Sequence, residues 1–153
     1  MAQQIKPSKA LVVIDMQPNF STAAPIIPQV VELVKSAIKE EKRILIVEFA
    51  HHEKTHEEIL KEVQNYKKVK IIKKSSNDGS NEVMKALGPR PIELEVCGVN
   101  LGACVQATVA GLSNHGSVKK ITLVAKATND GFGSKNAQLK WYYRKPKIKV
   151  RVK

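Results

Sequence analysis

Residues Ala10-Leu11-Val12-Val13-Ile14 form an unbroken apolar run that stops on an acid, Asp15. A strand with one wet face alternates apolar and polar residues. A run without alternation is buried on both faces, which is the position of a central strand in a parallel sheet covered by helices. Parallel neighbours need crossover connections, so the rest of the chain must supply strands and helices in turn. It does. Arg43–Phe49, Val69–Lys73, Ile92–Cys97 and Lys120–Ala125 read as further strands. Pro28–Glu41, His51–Gln64, Ser80–Leu87 and Gly102–His115 read as helices between them, with Val30, Val31, Val34, Ala37 and Ile38 on one face of the first. Ser134–Tyr143 is a further helix-like segment. Lys147–Lys153 alternates with period two, as an edge strand with one apolar and one basic face. The predicted fold is α/β: a three-layer sandwich, Rossmann-like, with a mainly parallel sheet of five to six strands and helices on both faces. At 153 residues the chain fits a single domain, 1–153.

Charge is uneven. The formal net charge is +12, and residues 131–153 hold eight Lys or Arg and no acid. This basic C-terminal segment could meet nucleic acid, anionic lipid or an acidic partner. A solvated strand whose lysines discourage edge pairing explains it more simply. Only Trp141, Tyr142 and Tyr143 offer stacking surfaces there, so a dedicated nucleic-acid platform is disfavoured. No apolar run is long enough to span a bilayer, and no membrane partner is expected. Two cysteines make no disulfide framework, and the expected setting is reducing and cytoplasmic.

Function is most legible where the fourth strand gives way to its helix. Cys97 lies inside the apolar strand and reads as packing. Cys104 falls in the helix's first turn, where unbonded backbone N–H groups carry partial positive charge. Such groups favour a thiolate and any oxyanion beside it. Open parallel sheets bind ligands outside the carboxyl ends of their strands. Asp15 closes the first strand there and Lys73 the third, with Lys74 adjacent and on the opposite face. A carboxylate can take a thiol's proton, a lysine can hold that carboxylate ionised, and N–H groups near Cys104 can bind an oxyanion. This is an acyl-transfer site without histidine.

These two segments resemble the isochorismatase-like cysteine hydrolases, the family that includes nicotinamidases and N-carbamoylsarcosine amidohydrolases. Ala10-Leu11-Val12-Val13-Ile14-Asp15-Met16-Gln17 is similar to the strand bearing the family's aspartate. Val96-Cys97-Gly98-Val99-Asn100-Leu101-Gly102-Ala103-Cys104-Val105-Gln106-Ala107-Thr108 is similar to its cysteine motif. The resemblance implies Cys104 as nucleophile, Asp15 as general base and later acid, and Lys73 as third member of a Cys–Asp–Lys triad. It implies a cis peptide at Val99–Asn100, and an oxyanion hole from the N–H groups of Asn100 and Cys104. Implied too are hydrolysis of an amide or related C–N bond of a small molecule through a thioester, and a homo-oligomeric assembly. Gln17, Phe20 and His51 are candidate pocket residues on the loops at that edge.

The chain departs from the family in places. Asn19 stands where many members have a second acid. Phe49-Ala50-His51 lacks the acid of the metal-using nicotinamidases, so no metal and no cofactor is expected. His52 and His56 are four apart, but no third ligand is evident nearby. Residues 73–80 lack the aromatic side chain that members often carry, and Lys126 replaces an acid. These departures, with the basic segment, support a competing reading: a catalytically weak member acting as an interaction module.

Overall fold

The computed structural model describes residues 6–144 and 150–153. In chain order the strands are β1 (Ser8–Ile14), β2 (Arg43–Phe49), β3 (Val69–Lys74), β4 (Ile92–Val99), β5 (Val118–Asn129) and β6 (Val150–Val152). The helices are α1 (Ile27–Lys39), α2 (Glu57–Val63), α3 (Ser80–Leu87), α4 (Cys104–Ser113) and α5 (Lys135–Arg144). The strands form one sheet in the order β3-β2-β1-β4-β5-β6, and every pairing is parallel. The order reverses between β1 and β4. That gap is the topological switch point, where such sheets leave a crevice at the strands' carboxyl ends.

The unbroken apolar run has the predicted cause. Leu11 and Val13 face a layer built from Val30, Val34 and Ala37 of α1 and Ile59 and Val63 of α2. Ala10, Val12 and Ile14 face the opposite layer, with Val83 and Leu87 of α3, Val105 and Val109 of α4, and Tyr142 of α5. All five β1 side chains from Ala10 to Ile14 are withdrawn from water. Each larger one contributes about 1.5–3 kcal/mol of transfer free energy, an upper estimate. β6 does take the sheet edge, beside β5. Its predicted first residues, 147–149, lie outside the described residues.

The structure departs from the sequence reading in several places. The second helix spans only Glu57–Val63, not His51–Gln64. Its first six residues are loop because their backbone is claimed elsewhere. His51 sits at φ 65°, the Gln17 side chain bonds the Glu53 carbonyl, and Asn19 accepts from the Glu53 amide. β5 extends to Asn129, beyond the expected Ala125. Its pairing with β4 slips between Val96 and Gly98, so Gly98 faces Thr128. Tyr142 is not a stacking surface. It is 2% exposed, and its hydroxyl donates to the Leu101 carbonyl at 2.6 Å. Among the described residues no helix is long and apolar enough to cross a membrane.

Candidate active site

Four strand ends build the site at the switch point. Asp15 follows β1 directly and stays in the sheet, its N–H donating to Val47 O at 2.9 Å. The next step of chain leaves the sheet, with Asp15 in the left-handed region at φ 52°. Aspartate tolerates that region better than most residues. Its side chain is 1% exposed.

The third strand contributes Lys74, not the expected Lys73. Successive strand residues face opposite sides, and register decides between them. Lys73 pairs with Glu48 and is exposed, whereas Lys74 pairs with Phe49 and is buried on the α4 side. From there its side chain crosses β2 to reach Asp15, a span of about two strand spacings, roughly 9–10 Å. The Nζ stands 3.2 Å from Asp15 Oδ2, 4.0 Å from the centroid of the Phe49 ring, and donates to Ser76 O at 2.9 Å. The stem passes Gly79, where a Cβ would come within 2.8 Å of Lys74 Cδ. The directed bond of the ammonium goes to Ser76, so both Asp15 oxygens keep acceptor capacity.

Cys104 is the first residue of α4 and is 6% exposed. The turn before it is held from three sides. Gly102 N–H donates to Asp130 Oδ1 at 2.8 Å, and Leu101 N–H to Asn129 O at 3.0 Å. Thr22 Oγ1 donates to Asn100 Oδ1 at 2.6 Å, and Tyr142 anchors Leu101 O. The Val99–Asn100 peptide is cis. The amides of Ala103 and Val105 both donate to Asn100 O. Those of Asn100 and Cys104 carry no such bond among the described residues.

Electrostatics work against the thiolate that the first-turn N–H groups favour. Burial first, and then the adjoining Asp15 carboxylate, push the Cys104 thiol up to about 12 against a smaller opposing pull from Lys74. Asp15 is itself raised. Its burial outweighs the pull of the thiol, of Lys74 and of His52. The first-turn N–H groups do not overcome desolvation. Cys104 rests as a thiol beside a carboxylate that can receive its proton. Cys97 is fully buried in β4, and burial raises it strongly.

The candidate pocket residues separate. Gln17 is wholly buried and does not line a pocket. Its Nε2 donates to Phe49 O at 3.1 Å and Glu53 O at 2.8 Å, and its Oε1 accepts from Phe49 N at 2.8 Å. Phe20 does reach the site rim, as part of a cluster with Phe49 and His52. The His52 ring stacks at 5.3 Å on Phe20 and 5.2 Å on Phe49. His52, not His51, joins that ring cluster. Among the described residues no three His, Cys, Asp or Glu side chains converge as metal ligands do.

Two contributors went unread in the sequence. Asn77 places its Oδ1 3.5 Å from Cys104 Sγ. Thr108 donates to Asn77 O at 3.3 Å and accepts from Gly79 N at 3.0 Å. A signal existed for Thr108, which stands one turn after Cys104 and so shares its helix face. None existed for Asn77, in a polar loop that reads as solvated.

The family model of the isochorismatase domain matches residues 9–147. No curated protein matches the chain. Among solved structures, the nicotinamidase from Staphylococcus aureus superposes with a TM-score of 0.77 at 17% identity, covering 95% of this chain and 98% of that one. The N-carbamoylsarcosine amidase from Thermoplasma acidophilum gives 0.69 at 15% identity, over 95% and 96%. The MAR1 ribonuclease from Caenorhabditis elegans gives 0.73 at 16%, over 98% and 80%. At these identities the likenesses establish the fold. The family model rests on sequence and takes in β1, β4 and the Cys104 turn together, so the chain belongs to the isochorismatase domain family.

Proposed function

We propose that this chain is a cysteine hydrolase that cleaves an amide or related C–N bond of a small molecule. The observation that carries the reading is the buried Lys74–Asp15 pair adjoining the Cys104 thiol at the switch point, 3.2 Å between Nζ and Oδ2. Family membership supports it, and so do the two amidases among the structural neighbours.

In the first half-reaction, Cys104 Sγ attacks the substrate carbonyl carbon while its proton passes to Asp15. The carbonyl oxygen gains negative charge and lies against the N–H groups of Asn100 and Cys104. Asp15 then gives the proton to the leaving nitrogen, the C–N bond breaks, and an amine and a thioester remain. Water next attacks the thioester, with Asp15 taking its proton. The carboxylic acid leaves, and Sγ recovers a proton from Asp15. Lys74 opposes the desolvation that raises Asp15, and so favours the ionised form that acts as the base. No metal or cofactor enters any step. An oligomer in a cytoplasmic setting fits the same reading.

The test is mass spectrometry of the intact protein during turnover of a small-amide panel. An acyl adduct on Cys104 is expected with wild type, and none with Cys104→Ala. Hydrolysis by Cys104→Ala at the wild-type rate would sink the thioester mechanism, and a wild-type protein that neither turns over the panel nor forms an adduct would favour the interaction-module reading.

A further inference from the structure

Asn77 stands in the loop between β3 and α3, where its side chain is exposed on one side and meets Cys104 Sγ on the other, at 3.5 Å. A thiol donates, so the amide oxygen faces it. This leaves the Nδ2 group without a partner among the described residues, on a residue that is exposed.

The loop is built to hold this side chain still. Lys74 Nζ donates to Ser76 O at 2.9 Å, fixing the start. Ser76 Oγ donates to Asp78 O at 3.2 Å, and Ser80 N to Asp78 Oδ1 at 2.8 Å. Between them, the Thr108 hydroxyl grips both sides of Asn77, donating to its own carbonyl and accepting from Gly79 N–H. Thr108 is fully buried. A buried hydroxyl spent wholly on one loop is a positioning group. It sits one helical turn from the nucleophile, so the same helix sets both ends of the Asn77–Cys104 contact.

We infer that Asn77, aimed by Thr108, holds the Cys104 thiol in its resting orientation and selects amides that carry a hydrogen-bond acceptor beside the scissile carbonyl. An aromatic or aliphatic side chain here would offer only a wall. A carboxamide offers an NH2 donor group on the same side chain whose oxygen stands 3.5 Å from Cys104 Sγ. A substrate lacking the acceptor leaves that donor poorly satisfied once water is displaced, and such a mismatch discriminates strongly. Thr108 acts through Asn77 and does not touch the substrate.

The inference rests on Cys104 as nucleophile, and its test separates the two. Native protein is labelled with iodoacetamide, which bears a carbonyl oxygen beside its electrophilic carbon, and with allyl iodide, which bears no oxygen or nitrogen acceptor. The ratio of the two Cys104 rates cancels changes in the thiol that act on both reagents. Asn77→Ala and Asn77→Leu should each lower the ratio about 3- to 10-fold, the size of one net hydrogen bond. Thr108→Val should lower it similarly, and Thr108→Ser should bring it back towards wild type. Iodoacetamide rates are also followed against pH, because freeing the thiol from Asn77 shifts that profile and a purely structural loss does not. If Cys104 is labelled but the ratio is indifferent to Asn77→Ala and Thr108→Val, this inference fails and the hydrolase proposal stands. If neither reagent labels Cys104 in wild type at any pH, both fail.

Discussion

Lys74 Nζ and Asp15 Oδ2 face each other at 3.2 Å, with side chains 0% and 1% exposed. Such a pair adds little net stability over an apolar pair of the same shape, because two charges have left water. Removing one partner is another matter. Lys74→Ala leaves a buried carboxylate uncompensated and should destabilise by about 3–5 kcal/mol, less whatever Asp15 recovers by taking a proton. Lys73→Ala, one residue earlier and exposed, should stay within about 0.5 kcal/mol of wild type. Urea unfolding at pH 7 of the two variants decides between them.

Because the Asp15 carboxylate raises Cys104, removing its charge should uncouple labelling from turnover. In Asp15→Asn the thiol falls from its value of about 12, so iodoacetamide labelling at pH 8 should quicken. Amide hydrolysis should fall about 10²–10⁴-fold with loss of the general base. Stopped labelling and a turnover assay on the same preparation read both. Parallel losses in both would show that Asp15 acts only through structure.

The same shifts give a sign for stability against pH. A thiol whose folded value lies above its unfolded value binds its proton more tightly when folded. Its contribution is complete below the unfolded thiol range, near 8.5, and is lost as pH rises towards about 12. Cys97 acts in the same direction. Urea midpoints should therefore fall above pH 9, and Cys104→Ala should flatten part of that fall.

What the sequence made legible follows from burial. Ala10–Ile14 and Arg43–Phe49 are apolar because both faces are covered, and that pattern survives without knowledge of any partner. Cys104 and Asp15 could be placed because a strand end and a helix start are local events. Lys73 and Lys74 could not be told apart in this way. Alternation puts them on opposite faces, but which face carries α4 is a property of the assembled layers. His51–His56 looked helical because nothing local shows that Gln17 and Asn19, more than thirty residues earlier, hold the Glu53 backbone. Asn77 was invisible for a like reason. Its orientation depends on a hydroxyl in α4.

Gln17 acts as a clamp on the loop after β2, so its loss should be felt in stability before chemistry. Gln17→Ala strands the N–H and C=O of Phe49 and the C=O of Glu53. Each unsatisfied buried group costs about 1–3 kcal/mol, though water will enter at the Glu53 side. The expected loss is at least about 2 kcal/mol, read from urea unfolding. Hydrogen exchange of the Phe49 amide should quicken, since that proton loses its acceptor. An unchanged Phe49 exchange rate would count against the clamp.

Gly98 sets how closely β1 and β4 approach at the switch point, and it tests whether the site depends on that spacing. It pairs with Ile14 in the register of the two strands and adopts φ 116°, a region closed to residues with a Cβ. A Cβ there would lie 2.0 Å from Ile14 O and 2.7 Å from Ile14 N. Both obstacles are backbone, so no side chain can turn aside. Gly98→Ala must push β1 from β4, and with it Asp15 from Cys104. The expected cost exceeds about 4 kcal/mol. Gly116→Ala is the matched control, since nothing lies within 4 Å of a Cβ there. Urea unfolding should place Gly116→Ala near wild type and leave Gly98→Ala largely unfolded. If instead Gly98→Ala folds, the widened crevice should cost turnover while the helix content by circular dichroism is kept. A Gly98→Ala protein with wild-type stability and wild-type activity would mean that the β1–β4 spacing is not what holds Asp15 against Cys104.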